Sequence, residues 1–146
     1  MIPKFRAWIN TEKRMIKTCD LLDIDYENEV VTTQRVYFYF DNGLPDGRDL
    51  DNFVFEEIEL MQSTGLKDKN GKEIFEGDVV RQVRTQPTTE NEIIIGVVTM
   101  IEGAWLIMND CEQLASKLWS ETDENEIIGN VWEDGDLIDG KKTSEN

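Results

Sequence analysis

Residues 64–83 read "TGLKDKNGKEIFEGDVVRQV", three glycines and eight charged side chains set around a few apolar positions. Two chemistries suggest themselves. The acidic and amide oxygens of "DKNG" resemble a calcium loop, and the glycine-framed "GLKDKNGK" resembles a phosphate cradle. An EF-hand loop needs oxygen ligands at its first, third and fifth positions, glycine at the sixth and a bidentate glutamate at the twelfth. With Gly71 at the sixth, the first falls on Leu66, which cannot ligate. A phosphate loop needs glycines five apart, Lys-Ser or Lys-Thr after them, and a helix. Gly65 and Gly71 are six apart, Lys72 is followed by Glu73, and no helical pattern follows. What survives is turn chemistry. Asp68-Lys69-Asn70-Gly71 is predicted to be a β-turn with positive φ at Gly71 and a second candidate for it at Asn70. Ile74 and Phe75 then supply apolar anchors, and "EGD" bends the chain into a strand beginning at Val79.

The remaining catalytic repertoire is narrow. The chain has no histidine, which removes Ser-His-Asp and Cys-His pairs, HExxH zinc sites and imidazole acid–base chemistry. Cys19 and Cys111 form no CxxC pair and supply only half of an all-cysteine zinc site. Carboxylates are so abundant that no single pair is informative, and Glu56-Glu57 reads as a solvated edge. No catalytic, cofactor-binding or metal-binding residue is assigned, no cofactor is expected, and the chain is read as not an enzyme.

The elements that would position a site come next. At 146 residues, with 39% apolar residues and thirteen aromatics (four Trp, three Tyr, six Phe), the chain can build one core or two small ones. It lacks any apolar run of membrane-spanning length, and charges interrupt its first fifteen residues, so neither a span nor a signal peptide is expected. The cysteines are expected to be reduced and separate, and a bacterial cytoplasm is the expected compartment. The formal charge is 15 − 31 = −16. Such a polyanion repels phosphates, so direct nucleic-acid binding is disfavoured. Basic residues do gather near the start, at Lys4, Arg6, Lys13, Arg14 and Lys17, whereas the acidic excess falls in 41–60 and 121–139. The first meaning of that excess is solubility. A sharper one is a decoy for DNA.

Most segments read as strand. "KFRAWI" places Phe5, Ala7 and Ile9 on one face and Lys4, Arg6 and Trp8 on the other. "MIKTCDLLDI" and "YENEVVTTQ" continue extended, the latter after a polar tip, and "RVYFYF" (35–40) has a strand's aromatic density. Residues 41–52, "DNGLPDGRDLDN", read as loop, and "FVFEEIELMQST" as strand or short helix. "IIIGVVTM" and "AWLIMN" form a hairpin turning at Gly103; "TQPTTENE" (85–92) is a polar loop. "CEQLASKLWSE" (111–121) is the one candidate helix, with Leu114 and Leu118 on one face and Asp110 as cap. "NEIIGNVWE" is the last strand. "ENEII" occurs at 90 and again at 124, consistent with two strands of one sheet. The fold class is mainly β, a small barrel in preference to an α/β layer.

"LMQSTGLKDKNGKEIFEGDVVR", with "KFRAW" before it and "IIGNVWED" after it, resembles the YopX family of small proteins encoded by phages and prophages of Gram-positive bacteria, over residues 3–135. The resemblance implies an SH3-like β-barrel over 60–136, a packed β-rich N-terminal part over 1–59 and a flexible tail over 137–146. It implies no biochemical activity. The expected function is a non-enzymatic protein-binding or self-assembling module acting in phage or prophage biology, through a groove of aromatic and acidic side chains. Trp8, Trp105, Trp119 and Trp132 are the candidate contacts, and Trp8, on a polar strand face, is the one expected to be exposed. The alternative is a nucleic-acid-related role, as an acidic DNA-mimic decoy or an accessory factor of phage DNA metabolism. A protein partner or self-association is expected, without a membrane.

Overall fold

The computed structural model describes residues 2–37, 47–84, 92–120 and 123–133. Twelve strands and two single 3-10 turns, Thr18–Asp20 and Phe55–Glu57, make up the described chain, with no α-helix among the described residues. The protein is mainly β, as its pattern predicts. It divides into two compact units, Met1–Gln62 and Ser63–Asn146, and the boundary falls inside a single strand.

The first unit holds β1 (Phe5–Ile9), β2 (Arg14–Ile16), β3 (Leu21–Asp25), β4 (Val30–Tyr37), β5 (Gly47–Val54) and the opening half of β6 (Ile58–Lys67). β1 pairs antiparallel with β2 on one side and β6 on the other, Ala7 facing Ile16 and Leu60. β4 lies between β3 and β5. The predicted inward face of β1 is real. Ala7 and Ile9 are fully buried and cluster with Ile16, Val31, Phe53 and Ile58. Each large aliphatic side chain so buried contributes about 1.5–3 kcal/mol.

The second unit holds the rest of β6, β7 (Glu73–Phe75), β8 (Asp78–Arg84), β9 (Glu92–Ile101), β10 (Ala104–Asn109), β11 (Leu114–Lys117) and β12 (Glu124–Asn130). Five of these form an antiparallel sheet in the order β11-β10-β9-β8-β12. The "EII" of each "ENEII" copy lies in β9 and in β12, either side of β8, so the echo is two strands of one sheet. Ile74, Val80, Ile94, Val98, Ile107 and Leu118 make its core. Ile101 pairs with Ala104, leaving Glu102 (φ 50°) and Gly103 (φ 81°) as a two-residue turn with both residues left-handed, the form that matches strand twist.

Two expectations are corrected. The candidate helix 111–121 is not helical over its described residues, 111–120: residues 110–113 turn and Leu114–Lys117 pairs with β10. Leu114 and Leu118 are four apart, an even spacing that shares a face in a strand as well as in a helix. Only Leu118 is buried; Leu114 and Ala115 are exposed, which leaves the supposed helix without an apolar stripe. Within the presumed loop 41–52, residues from Gly47 onward belong to β5, paired with β4 over its whole length. An edge strand facing water carries no hydrophobic alternation, so "GRDLDN" hides it. Residues 38–46, 85–91, 121–122 and 134–146 lie outside the described residues, and with them the "FYF" of 38–40, most of the polar loop and the tail. "FVFEEIELMQST" resolves into the end of β5, the 3-10 turn at 55–57 and the start of β6.

Candidate functional site

The turn predicted at 68–71 is present. The Gly71 N–H donates to the Asp68 carbonyl at 3.0 Å, and Gly71 has φ 83°, whereas Asn70 stays outside the left-handed region. Its organiser is the Asp68 side chain, which is only 7% exposed. Oδ1 accepts the N–H groups of Asn70 and Lys72, both at 2.9 Å, and Oδ2 accepts that of Ile127 at 3.0 Å. The Lys69 N–H donates to the Asn125 carbonyl at 2.9 Å. The loop that imitated a calcium site therefore staples itself to β12 by directing a carboxylate at backbone donors. Burial by itself raises the Asp68 pKa, but those N–H groups and the Lys72 ammonium outweigh it and hold the carboxyl below the usual range.

Beside the staple lies a polar network within the sheet. Gln82 is fully buried; its Nε2 donates to the Lys117 carbonyl at 3.1 Å and to Asn125 Oδ1 at 3.0 Å, and its Oε1 accepts from Ser116 Oγ at 2.8 Å. Asn125 Nδ2 donates to the Leu118 carbonyl at 2.7 Å, and the Leu118 N–H donates to the Trp105 carbonyl at 3.1 Å. The chain leaving β11 is thus held on both sides at Leu118, whose side chain is fully buried. The next residue points the other way: Trp119 is 59% exposed.

Staple and network together frame an open groove of about 350 Å³, lined by Lys67, Asp68, Lys69, Trp119, Ser120, Asp123, Glu124 and Asn125. The Lys69 ammonium lies 3.8 Å from a Glu126 carboxylate oxygen. The groove thus offers one aromatic surface, two lysines and two accessible carboxylates. That combination suits apolar and charged side chains of a polypeptide, with the indole face open to a packing or cation–π contact.

Of the four tryptophans, Trp8 is the correction. It is 5% exposed, on a strand flanked by β2 and β6, and Met61, opposite Arg6 on the same face, is buried too at 3%. Lys4 and Arg6 made that face look polar, but long cationic side chains can reach water from a covered face. Trp105 packs against the core, and Trp132 is 36% exposed. The five N-terminal cations do not form one basic face: Arg6 and Arg14 are half-buried, and Arg14 is bonded to Glu12 at 2.7 Å. Cys19 and Cys111 are free and exposed. Sequence reasoning missed Gln82. The signal was its place in "VVRQV", two residues from Val80 and so on the core-facing side of the strand.

The geometry defines a small antiparallel β-protein in two units with a surface groove. The chain belongs to the YopX family: the family's model, described as YopX protein, matches residues 4–139. Among solved structures it is similar to protein EF1440 from Enterococcus faecalis, with 26% identity, a TM-score of 0.59, and 94% of this chain and 99% of that one covered. It also shares the fold of protein yopX from Bacillus subtilis, at 19% identity and a TM-score of 0.61, covering 92% of this chain and 96% of that one. No curated protein matches the chain.

Proposed function

We propose that this chain is a non-enzymatic protein-binding module of phage or prophage biology, working in the bacterial cytoplasm, and that the Trp119 groove is its contact surface. The observation that carries the reading is the alternation at Leu118-Trp119: one side chain locked in the core, the next 59% exposed beside a groove bearing both signs of charge. Exposed tryptophan on a rigid frame is the residue type most enriched at binding hot spots. The SH3-like description of the second unit belongs to the same proposal, as a frame presenting a shallow groove.

The test is affinity capture from lysate of a Gram-positive host with the tagged chain and its Trp119→Ala variant, identifying proteins and nucleic acids together. The reading expects a protein retained by the parent and lost from the variant. A host DNA-binding protein retained equally by both would favour the acidic decoy instead.

A further inference from the structure

Among the described residues the three-stranded sheet of the first unit ends on β5. The Phe55 N–H donates to the Glu29 carbonyl at 2.9 Å, so 29 and 55 begin the β4–β5 ladder as a hydrogen-bonded pair. Bonded and non-bonded pairs alternate in an antiparallel ladder. Odd-numbered residues of β5 therefore direct their backbone groups at β4, and those of Arg48, Leu50, Asn52 and Val54 point outward. Val54 obeys the rule, its N–H donating to the Glu57 carboxylate at 3.3 Å. Arg48, Leu50 and Asn52 are all exposed, and no backbone partner meets their outward groups among the described residues.

We infer that this edge receives one extended strand of a partner protein, in which two basic residues flank an apolar one. Strand addition to an open edge takes its affinity from main-chain bonds and its specificity from alternate side chains. Asp49, whose Oδ2 accepts the Tyr37 hydroxyl at 2.6 Å and which lies opposite Arg35 of β4, and Asp51 project on one face of β5, and Leu50, 54% exposed, projects between them on the other. A lysine or arginine opposite each aspartate, with an apolar residue between them, complements all three. The net charge of −16 draws such a strand in from solution.

A second copy of the chain centred on residues 49 to 51 does not fit. Antiparallel pairing about a two-fold axis must place some residue opposite its own copy, because adjacent pairs differ in bonding type. Centred on residue 49 the axis sets Asp49 against Asp49, centred on 50 it sets Asp49 against Asp51, and centred on 51 it sets Asp51 against Asp51. Each is a non-bonded pair, where the chains approach most closely and like charges repel. In those registers the aspartates that recruit a basic strand also oppose pairing of the edge with itself.

The test uses the full chain and labelled peptides of alternating threonine and valine carrying Lys-Val-Lys or Glu-Val-Glu at the centre. Fluorescence anisotropy should show the lysine peptide binding at least roughly tenfold more tightly. Amide exchange at Arg48, Leu50 and Asn52 should slow when it binds. Leu50→Pro removes an outward N–H and no bond to β4, so it should abolish binding with an unchanged circular dichroism spectrum. The double change Asp49→Lys, Asp51→Lys should reverse the preference between peptides. The inference is overturned if neither peptide binds, if both bind alike, if the slowed amides lie elsewhere, or if the chain dimerises and Leu50→Pro abolishes the dimer. It stands apart from the groove in the second unit, and Trp119→Ala should leave the lysine peptide's affinity unchanged.

Discussion

The Asp68 carboxylate accepts the backbone N–H of Ile127 at 3.0 Å, joining residues 59 apart in sequence. Through that bond, and its two others to Asn70 and Lys72, one side chain shapes the 68–71 turn and fixes the strand that borders the groove. Replacing it by alanine strands three N–H groups, and Asp68→Ala should cost roughly 3 kcal/mol in urea unfolding. Asp68→Asn keeps one acceptor oxygen and should cost about half as much.

The same carboxyl gives stability a pH dependence. Its folded pKa lies below the ordinary value, about 3.9, because the N–H donors and Lys72 outweigh burial. A group depressed on folding stabilises above its unfolded pKa, and that contribution fades as pH falls through the folded value. The stability gap between the parent chain and Asp68→Asn should therefore be widest near neutrality and shrink below about pH 4. Urea midpoints of both proteins across that range check it. A gap that grows in acid would refute the assignment.

Gln82 joins three strands from a fully buried position. Gln82→Leu fills its volume but leaves Ser116 and Asn125 short of partners, and should cost roughly 2 kcal/mol. It also frees the segment that holds Trp119. Steady-state tryptophan anisotropy should fall in the folded variant.

Gly96 in β9 lies close against the backbone of β10. A Cβ there would lie 2.6 Å from the Met108 carbonyl oxygen and 2.9 Å from Ile107 Cγ2. Gly96→Ala should cost roughly 2–3 kcal/mol, because the obstacle is paired backbone that cannot rotate aside. Thermal unfolding measures it.

Strands were legible where apolar residues recur: the alternation of Phe5, Ala7 and Ile9 and the apolar runs of β9 and β10 each gave their element. Left-handed turns were legible where glycine marks them, at Gly71 and Gly103. Lys13, Glu29 and Gln113 adopt the same conformation at the ends of hairpin loops, with φ of 53°, 56° and 55°, and no residue type signals it. β5 was hidden because pairing alone, and not burial, makes Gly47–Leu50 a strand. The groove was hidden because Lys67 to Lys69 and Trp119 to Asn125 meet only through long-range bonds of Asp68 and Gln82. The sequence offers Trp119 only as one of four tryptophans and favours Trp8, since a local pattern does not show which strand is central.

Trp119 contributes little to folding. With 59% of its surface in water, Trp119→Ala should change stability by no more than about 0.5 kcal/mol while removing the groove's aromatic face. Equal urea midpoints for parent and variant would bear this out.

The most direct test of the groove as a binding surface is photo-crosslinking in a Gram-positive host. A benzophenone amino acid is placed at 119 and, as a control, at the exposed Glu102 on the β9–β10 turn. The account predicts a discrete protein adduct at 119 that is absent at 102. No adduct at 119, or the same adducts at both positions, would contradict it.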